Sequence, residues 1–376
     1  MKVLVVSGLW PPDVGGPASH APEVAAGLRA RGHEVEVVTT ASAAPPPEPY
    51  PVRWISRRLP KGVVHAVACR EIARAARRAD VVYATGMFSR SAAAAVLARR
   101  ALVLKLTGDP AFERARQRGM VGGDMSEFQR GGGGLDVSLL RRLRDLTARS
   151  AEVVTCPSEF LRGVVVSWGV PEGRVVVVPN AVPAVGVSGS REALRGSFGM
   201  EGPTLAFAGR LAVQKALEVG LAAVGRVEGV SLLVAGEGEE RARLEGLAGP
   251  SVRFLGALPR ARVLELFAAA DGELLCSAWE NFPHTVVEAL GVGTPVVATR
   301  VGGVPEVVAD GVNGLLVEPG DVEGLAAAIG RLCFEDGLRE RLAAGAAPSV
   351  ERFAPDAVLD RLEQVLERAA TTRRSS

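Results

Sequence analysis

Two successive sets of short apolar or β-branched runs, with helix-patterned stretches between several of them, constrain this chain more than any other feature. In the first half they fall at residues 3–6, 35–39, 81–83, 102–106, 153–156 and 175–178. In the second half they fall at 204–208, 231–235, 252–255, 274–276, 296–298 and 314–317. Runs that are apolar on both faces and separated by helices predict mostly parallel sheets covered on both sides. With 376 residues there is room for two such doubly wound domains, each burying its own core.

The division is expected at 185/186, with an aperiodic linker over 183–190. Residues 1–185 then form one domain and 186–376 the other, and a helix over 354–370 closes the chain. Residues 371–376 read as frayed. An edge strand is expected at 52–55, beyond the Ala/Pro-rich connection 42–51.

Composition excludes several classes. Apolar residues at 48% and charged residues at 23% suit a globular protein rather than a fibrous or disordered one. The longest apolar stretch, 91–106, is broken by Arg99 and Arg100. It falls short of the roughly 20 residues needed to span a bilayer. The start, MKVLVVSGLWPP, reads as a first strand and not as a signal peptide. Cys69, Cys156, Cys276 and Cys333 lack metal or redox spacing, so a reduced, cytoplasmic interior is expected.

The net charge of +2 hides an asymmetry: residues 1–185 carry 25 Lys and Arg against 16 Asp and Glu. Such a half attracts anionic acceptors or a membrane surface, and a location in the cytoplasm or at the inner membrane face follows. The helix around 64–78, with Arg70, Arg74, Arg77 and Arg78, is the expected membrane contact, weighed against a plain solvated face. No nucleic-acid partner is expected.

The densest chemistry lies at 274–299, LLCSAWENFPHTVVEALGVGTPVVAT. An apolar run leads to a loop with Glu280, and Pro283 then suits the first turn of a helix. Helix N-termini offer unpaired N–H groups and partial positive charge, here from Asn281 and Phe282, to a phosphate or sugar oxygen. Glu280 and Glu288 flank that end, and carboxylates seek hydroxyls rather than phosphates. At the end of the strand 204–208, Gly209 allows close backbone approach, while Arg210 and Lys215 supply two cations.

In the first domain, Gly15 and Gly16 follow the first strand, before a helix expected from about residue 19. Thr107 and Asp109 follow the strand 102–106, and an Asp-Pro turn explains Asp109 as readily as a sugar or acceptor contact. The glycine-rich segment 112–135 reads as a mobile loop on the acceptor side.

Glu280, seven intervening residues and Glu288, set before the Gly293-Thr294-Pro295 turn and next strand, resemble the signature of the family 4 glycosyltransferases. Gly209-Arg210 with Lys215 resembles that family's diphosphate clamp, although Ala216 stands where relatives usually have Gly. The resemblance implies the GT-B fold, two Rossmann-like domains facing a central cleft, with the terminal helix returning to the first domain.

It also implies retaining transfer of a hexose-type sugar from a nucleoside-diphosphate sugar to a hydroxyl acceptor. Glu280, Arg210 and Lys215 would be the catalytic residues. Gly15, Gly16, Gly209, Asn281, Phe282, Pro283 and Glu288 would hold the donor, and Asp109 would touch sugar or acceptor. No cofactor or metal is expected, because no Asp-x-Asp pair or His cluster appears and two cations can serve the diphosphate. An envelope glycolipid or polysaccharide is the first acceptor considered and a natural product or small sugar the second; a nucleotide-sugar epimerase on the same frame is the alternative enzyme.

Overall fold

A computed structural model describes residues 1–13, 15–123, 125–183 and 186–374. Seven strands are entirely parallel in the order β3-β2-β1-β4-β5-β6-β7: β1 (Lys2–Ser7), β2 (Glu34–Ala41), β3 (Val52–Ser56), β4 (Val81–Ala84), β5 (Ala101–Lys105), β6 (Val153–Cys156) and β7 (Val175–Val177). Six more form a second parallel sheet, β10-β9-β8-β11-β12-β13, from β8 (Thr204–Ala208), β9 (Ser231–Ala235), β10 (Val252–Gly256), β11 (Gly272–Leu275), β12 (Val296–Thr299) and β13 (Gly314–Val317). The 52–55 run is an edge strand, as its position beside the Pro-rich connection predicts.

Both sheets are doubly wound, and each reverses direction once, between β1 and β4 and between β8 and β11. In such sheets the crevice for a ligand opens at the carboxyl ends of the two strands flanking the reversal. The second sheet shows why its strands are apolar throughout. Leu205 and Phe207 of β8 pack toward Leu217, Leu221, Ile329 and Leu332, while Ala206 and Ala208 face Leu264, Phe267, Val286 and Leu290.

The chain divides into two compact units, residues 1–179 with 358–376, and residues 180–357. This division lies a few residues before the expected 185/186 boundary; Val185 and its neighbour Ala184 lie outside the described residues. The last helix, Pro355–Arg374, continues through most of the tail expected to fray, and Ser375 and Ser376 lie outside the described residues. From Val358 onward it belongs to the first unit. Gly27 accounts for the close fit, since a Cβ there would stand 2.4 Å from a methyl of Leu359. Arg31 reaches Asp360 at 2.5 Å and Glu363 at 2.6 Å, and His33 Nε2 meets Glu363 at 2.6 Å.

One expectation for the first unit is corrected. The 112–135 segment is not simply a loop: helices Pro110–Gln117 and Met125–Gln129 lie in and beside it, with Met125 and Phe128 buried and the Phe128 ring 5.4 Å from Phe112. In and just after the helix Lys61–Ala76, three of the four arginines expected to contact a membrane have carboxylate neighbours, and Arg77 is exposed. Arg70 and Arg74 lie 3.8 and 3.7 Å from Glu71, and Arg78 is 3.1 Å from Glu36.

Candidate functional site

The two loops at the β8/β11 reversal carry the residues that the sequence singles out. Glycine governs how closely they approach their neighbours. At Gly236, just past β9 with φ +153°, a Cβ would stand 1.8 Å from the Gly209 carbonyl oxygen. Because no side chain intervenes, Leu211 N–H donates to Glu237 O at 2.9 Å and Glu240 N–H donates to Leu211 O at 3.1 Å. Leu211 is itself fully buried and anchors the turn that carries Arg210 and Lys215.

The same turn is laced to the loop after β11. Ala278 N–H donates to Gln214 O and Gln214 Nε2 donates to Trp279 O, both at 2.9 Å. Lys215 Nζ forms an ion pair with Glu280 Oε1, which also accepts a hydrogen bond from Ser277 Oγ at 3.0 Å. Glu280 is only 6% exposed, and these two donors satisfy its buried Oε1. Its backbone oxygen accepts from Gly303 N–H at 3.0 Å, and Gly302 is needed there: φ is +50° and a Cβ would fall 1.7 Å from that oxygen. Loops after β8, β9, β11 and β12 thus converge at the carboxyl end of the second sheet.

Arg210 is exposed and has no ion-pair partner among the described residues, which leaves a free guanidinium beside the Lys215–Glu280 pair in sequence. Asn281 is half-buried, and Phe282 and Pro283 are buried. The Phe282 ring meets His284 at 5.1 Å and Phe353 at 5.4 Å, both edge-on. These contacts fix the entry to the helix His284–Gly291. Glu288 lies in that helix, and its Oε1 accepts from Arg260 Nε at 2.6 Å. Arg260 also donates to Pro183 O at 2.9 Å. Sequence reading did not name Arg260; its only signal is a position four residues after the β10 end at Gly256.

Another unnamed residue lies beneath the site. Glu273 on β11 is fully buried, and burial pushes its carboxyl up to about 8 despite the opposing influence of Thr285 and Lys215.

Gly15, Gly16 and Asp109 belong to the other unit. Gly15 is the N-cap of the helix Gly16–Ala30, which begins three residues earlier than expected, so the glycine pair forms the helix entry itself. Asp109 departs from the expected sugar or acceptor contact. It is wholly buried as the N-cap of the helix Pro110–Gln117: Oδ1 accepts from Ala111 and Phe112 N–H at 2.8 and 3.2 Å. Its Oδ2 accepts from Gln129 Nε2 at 2.7 Å and pairs with Arg144. With four donors around it and no exposed surface, it serves the fold.

One histidine–carboxylate group was hidden by sequence distance. Ligand-type atoms of His33, Glu363 and Glu367 lie within 4.8 Å of one another, but Glu363 already bridges Arg31 and His33.

Comparisons with known proteins fit this geometry. A model described as "Glycosyl transferases group 1" matches residues 202–334, and one described as "Glycosyl transferase 4-like domain" matches residues 15–181. The lipopolysaccharide core biosynthesis glycosyltransferase LpsE of Rhizobium meliloti is 37% identical over 44% of this chain and 50% of its own length. The D-inositol 3-phosphate glycosyltransferase of Xylanimonas cellulosilytica is 32% identical over 59% of each chain. The matches therefore span only about half to three fifths of these curated relatives. Among solved structures, that of Anabaena HepE in complex with UDP superimposes with a TM-score of 0.79 at 22% identity, over 98% of this chain and 100% of that one, which shows the shared fold.

Proposed function

This chain belongs to the family 4 glycosyltransferases, and on that basis we propose that it moves a hexose-type sugar from a nucleoside-diphosphate sugar to a hydroxyl acceptor with retention at the anomeric carbon. The observation that carries the proposal is the Lys215–Glu280 pair at the reversal point of the second sheet, with the exposed cation Arg210 on the same loop as Lys215. UDP and UDP-glucose in the HepE complexes support a nucleotide-sugar donor.

The chemistry follows from charge. As the bond from the anomeric carbon to the diphosphate oxygen breaks, negative charge grows on the leaving group. Arg210 and Lys215 meet it with two cations, the Asn281 and Phe282 N–H groups add donors, and Gly209 lets backbone come close. A diphosphate competes with Glu280 for the Lys215 ammonium, so donor arrival turns the Glu280 carboxylate toward sugar hydroxyls. Glu288 takes the ribose diol in exchange for Arg260. Gly15 and Gly16 offer a side-chain-free helix entry to the donor phosphates. The acceptor hydroxyl attacks from the face that the diphosphate leaves, and a phosphate oxygen takes its proton. Two side-chain cations supply the leaving group's charge compensation, so no metal or other cofactor takes part.

The acceptor we propose is an envelope glycolipid or polysaccharide precursor, met at the cytoplasmic face of the membrane. The basic first half supports this, as does the similarity to a lipopolysaccharide core enzyme. Incubation with a panel of uridine, guanosine and adenosine diphosphate sugars, followed by measurement of nucleoside diphosphate release, tests the donor. One donor class should be slowly hydrolysed without acceptor, and consumption of none would count against the proposal.

A further inference from the structure

The helix Leu135–Arg149 of the first unit has an unusual face. Leu135, Leu139, Leu143 and Leu146 are 91%, 65%, 42% and 57% exposed. At 3.6 residues per turn they fall within an arc of about 80° and extend roughly 16 Å along the helix. The opposite face holds the helix in place, with Val137, Thr147 and Ala148 buried and Arg144 paired to Asp109. The stripe is therefore not the product of a loosely placed segment, and large exposed apolar patches of this kind mark contact surfaces.

Charge indicates what covers it. Arg142 lies at one edge of the arc, exposed and without an ion-pair partner among the described residues; Asp136 lies at the other edge. Leu143 also lines a cavity of about 410 Å³ together with Phe88, Leu140, Arg90 and Arg114, with Glu113 as its acid. From Pro110 to Arg149 the chain has eight arginines against five acids. Arg114, Arg116 and Arg118 are exposed and lack ion-pair partners among the described residues. Leucines on one face of a helix with an uncompensated arginine at its edge, and three more exposed arginines at 114–118, match an anionic bilayer, in which the apolar face sinks to the acyl boundary while the guanidinium groups stay among phosphates.

We propose that the helix Leu135–Arg149 docks the first unit on an anionic phospholipid surface through Leu135, Leu139, Leu143 and Leu146. The inference rests on the proposed function only in choosing a lipid surface as occupant, because a membrane-borne acceptor requires the enzyme to work there.

The test is co-sedimentation of the full chain with vesicles of phosphatidylglycerol and phosphatidylethanolamine and with vesicles of phosphatidylcholine alone. Wild type should bind the anionic vesicles at least tenfold better and be released at high salt. Leu139→Ser/Leu146→Ser should lose binding by tenfold or more while keeping its thermal midpoint and its nucleotide-sugar hydrolysis. Arg142→Glu should weaken binding to anionic vesicles alone. Equal binding of wild type and the serine variant overturns the proposal. So does a wild-type dimer in sedimentation equilibrium that the serine variant dissociates, since a second copy would then cover the stripe. Failure of wild type to bind vesicles while it still hydrolyses its donor refutes docking alone, whereas absence of hydrolysis in wild type refutes the function itself.

Discussion

Lys215 and Glu280, 65 positions apart in sequence, form an ion pair that joins the loop after β8 to the loop after β11. Both side chains are mostly buried, at 18% and 8% exposure, so removing either one would leave the other without its partner at a place where a lone charge is costly. On the proposed function, the pair would give up its cation to a diphosphate and its carboxylate to hydroxyls.

Gly302 lies against the Glu280 backbone with no room for a methyl group. Gly302→Ala should therefore shift the Glu280 loop, cost about 2 kcal/mol or more in urea denaturation, and raise the donor KM. An alanine variant with wild-type stability and KM would show that the loop tolerates displacement.

Ala216 has φ +44° and ψ 39°. An L side chain adopts this left-handed conformation at a cost of about 1–2 kcal/mol. Ala216→Gly should raise the unfolding free energy by roughly 1 kcal/mol, after the extra entropy of an unfolded glycine is subtracted. A loss of stability on denaturation would contradict the assigned strain.

Asp109 distinguishes a structural from a sugar-binding role. Asp109→Ala removes an N-cap and strips Arg144, itself only 8% exposed, of its buried partner. Together these losses should cost about 3 kcal/mol or more. At a temperature where the variant is folded, its donor KM should match wild type. A raised KM with unchanged stability would restore the sugar-contact reading.

Glu273 gives the fold a pH dependence whose sign can be worked out. Its carboxyl is at about 8 in the folded protein and near 4.5 when exposed. Below 4.5 both states are protonated and there is no penalty. As pH rises toward 8 the unfolded chain releases a proton that the folded chain keeps, so stability falls through that window and levels off above it. Glu273→Leu should abolish this component, with a gain on the order of 4 kcal/mol at most at pH 8 and little at pH 4.5. Equal gains at both pH values, measured by denaturation of the two proteins, would show that the carboxyl is not protonated in the core.

The strands were legible because parallel strands buried on both faces are apolar throughout. Glu273 shows the limit of that signal: the apolar run read from the sequence starts at 274, although β11 begins at Gly272 and Glu273 is sealed inside. Gly209, Arg210, Lys215 and Glu280 could be read because each sits just past an apolar run, where a doubly wound sheet places its loops. Arg260 and the contacts of the last helix with Arg31 and His33 could not, since side-chain pairing across long sequence separations leaves no periodic trace. Asp109 misled for a physical reason: capping a helix and contacting a sugar both place a carboxylate at a strand's carboxyl end.

The most direct test of the diphosphate clamp is the rate of nucleoside diphosphate release from the accepted donor by Lys215→Ala, with circular dichroism to establish that the variant is folded. Loss of one charge-stabilising donor should lower the rate by about 10²–10³-fold. A folded Lys215→Ala protein that releases nucleoside diphosphate at the wild-type rate would contradict the account.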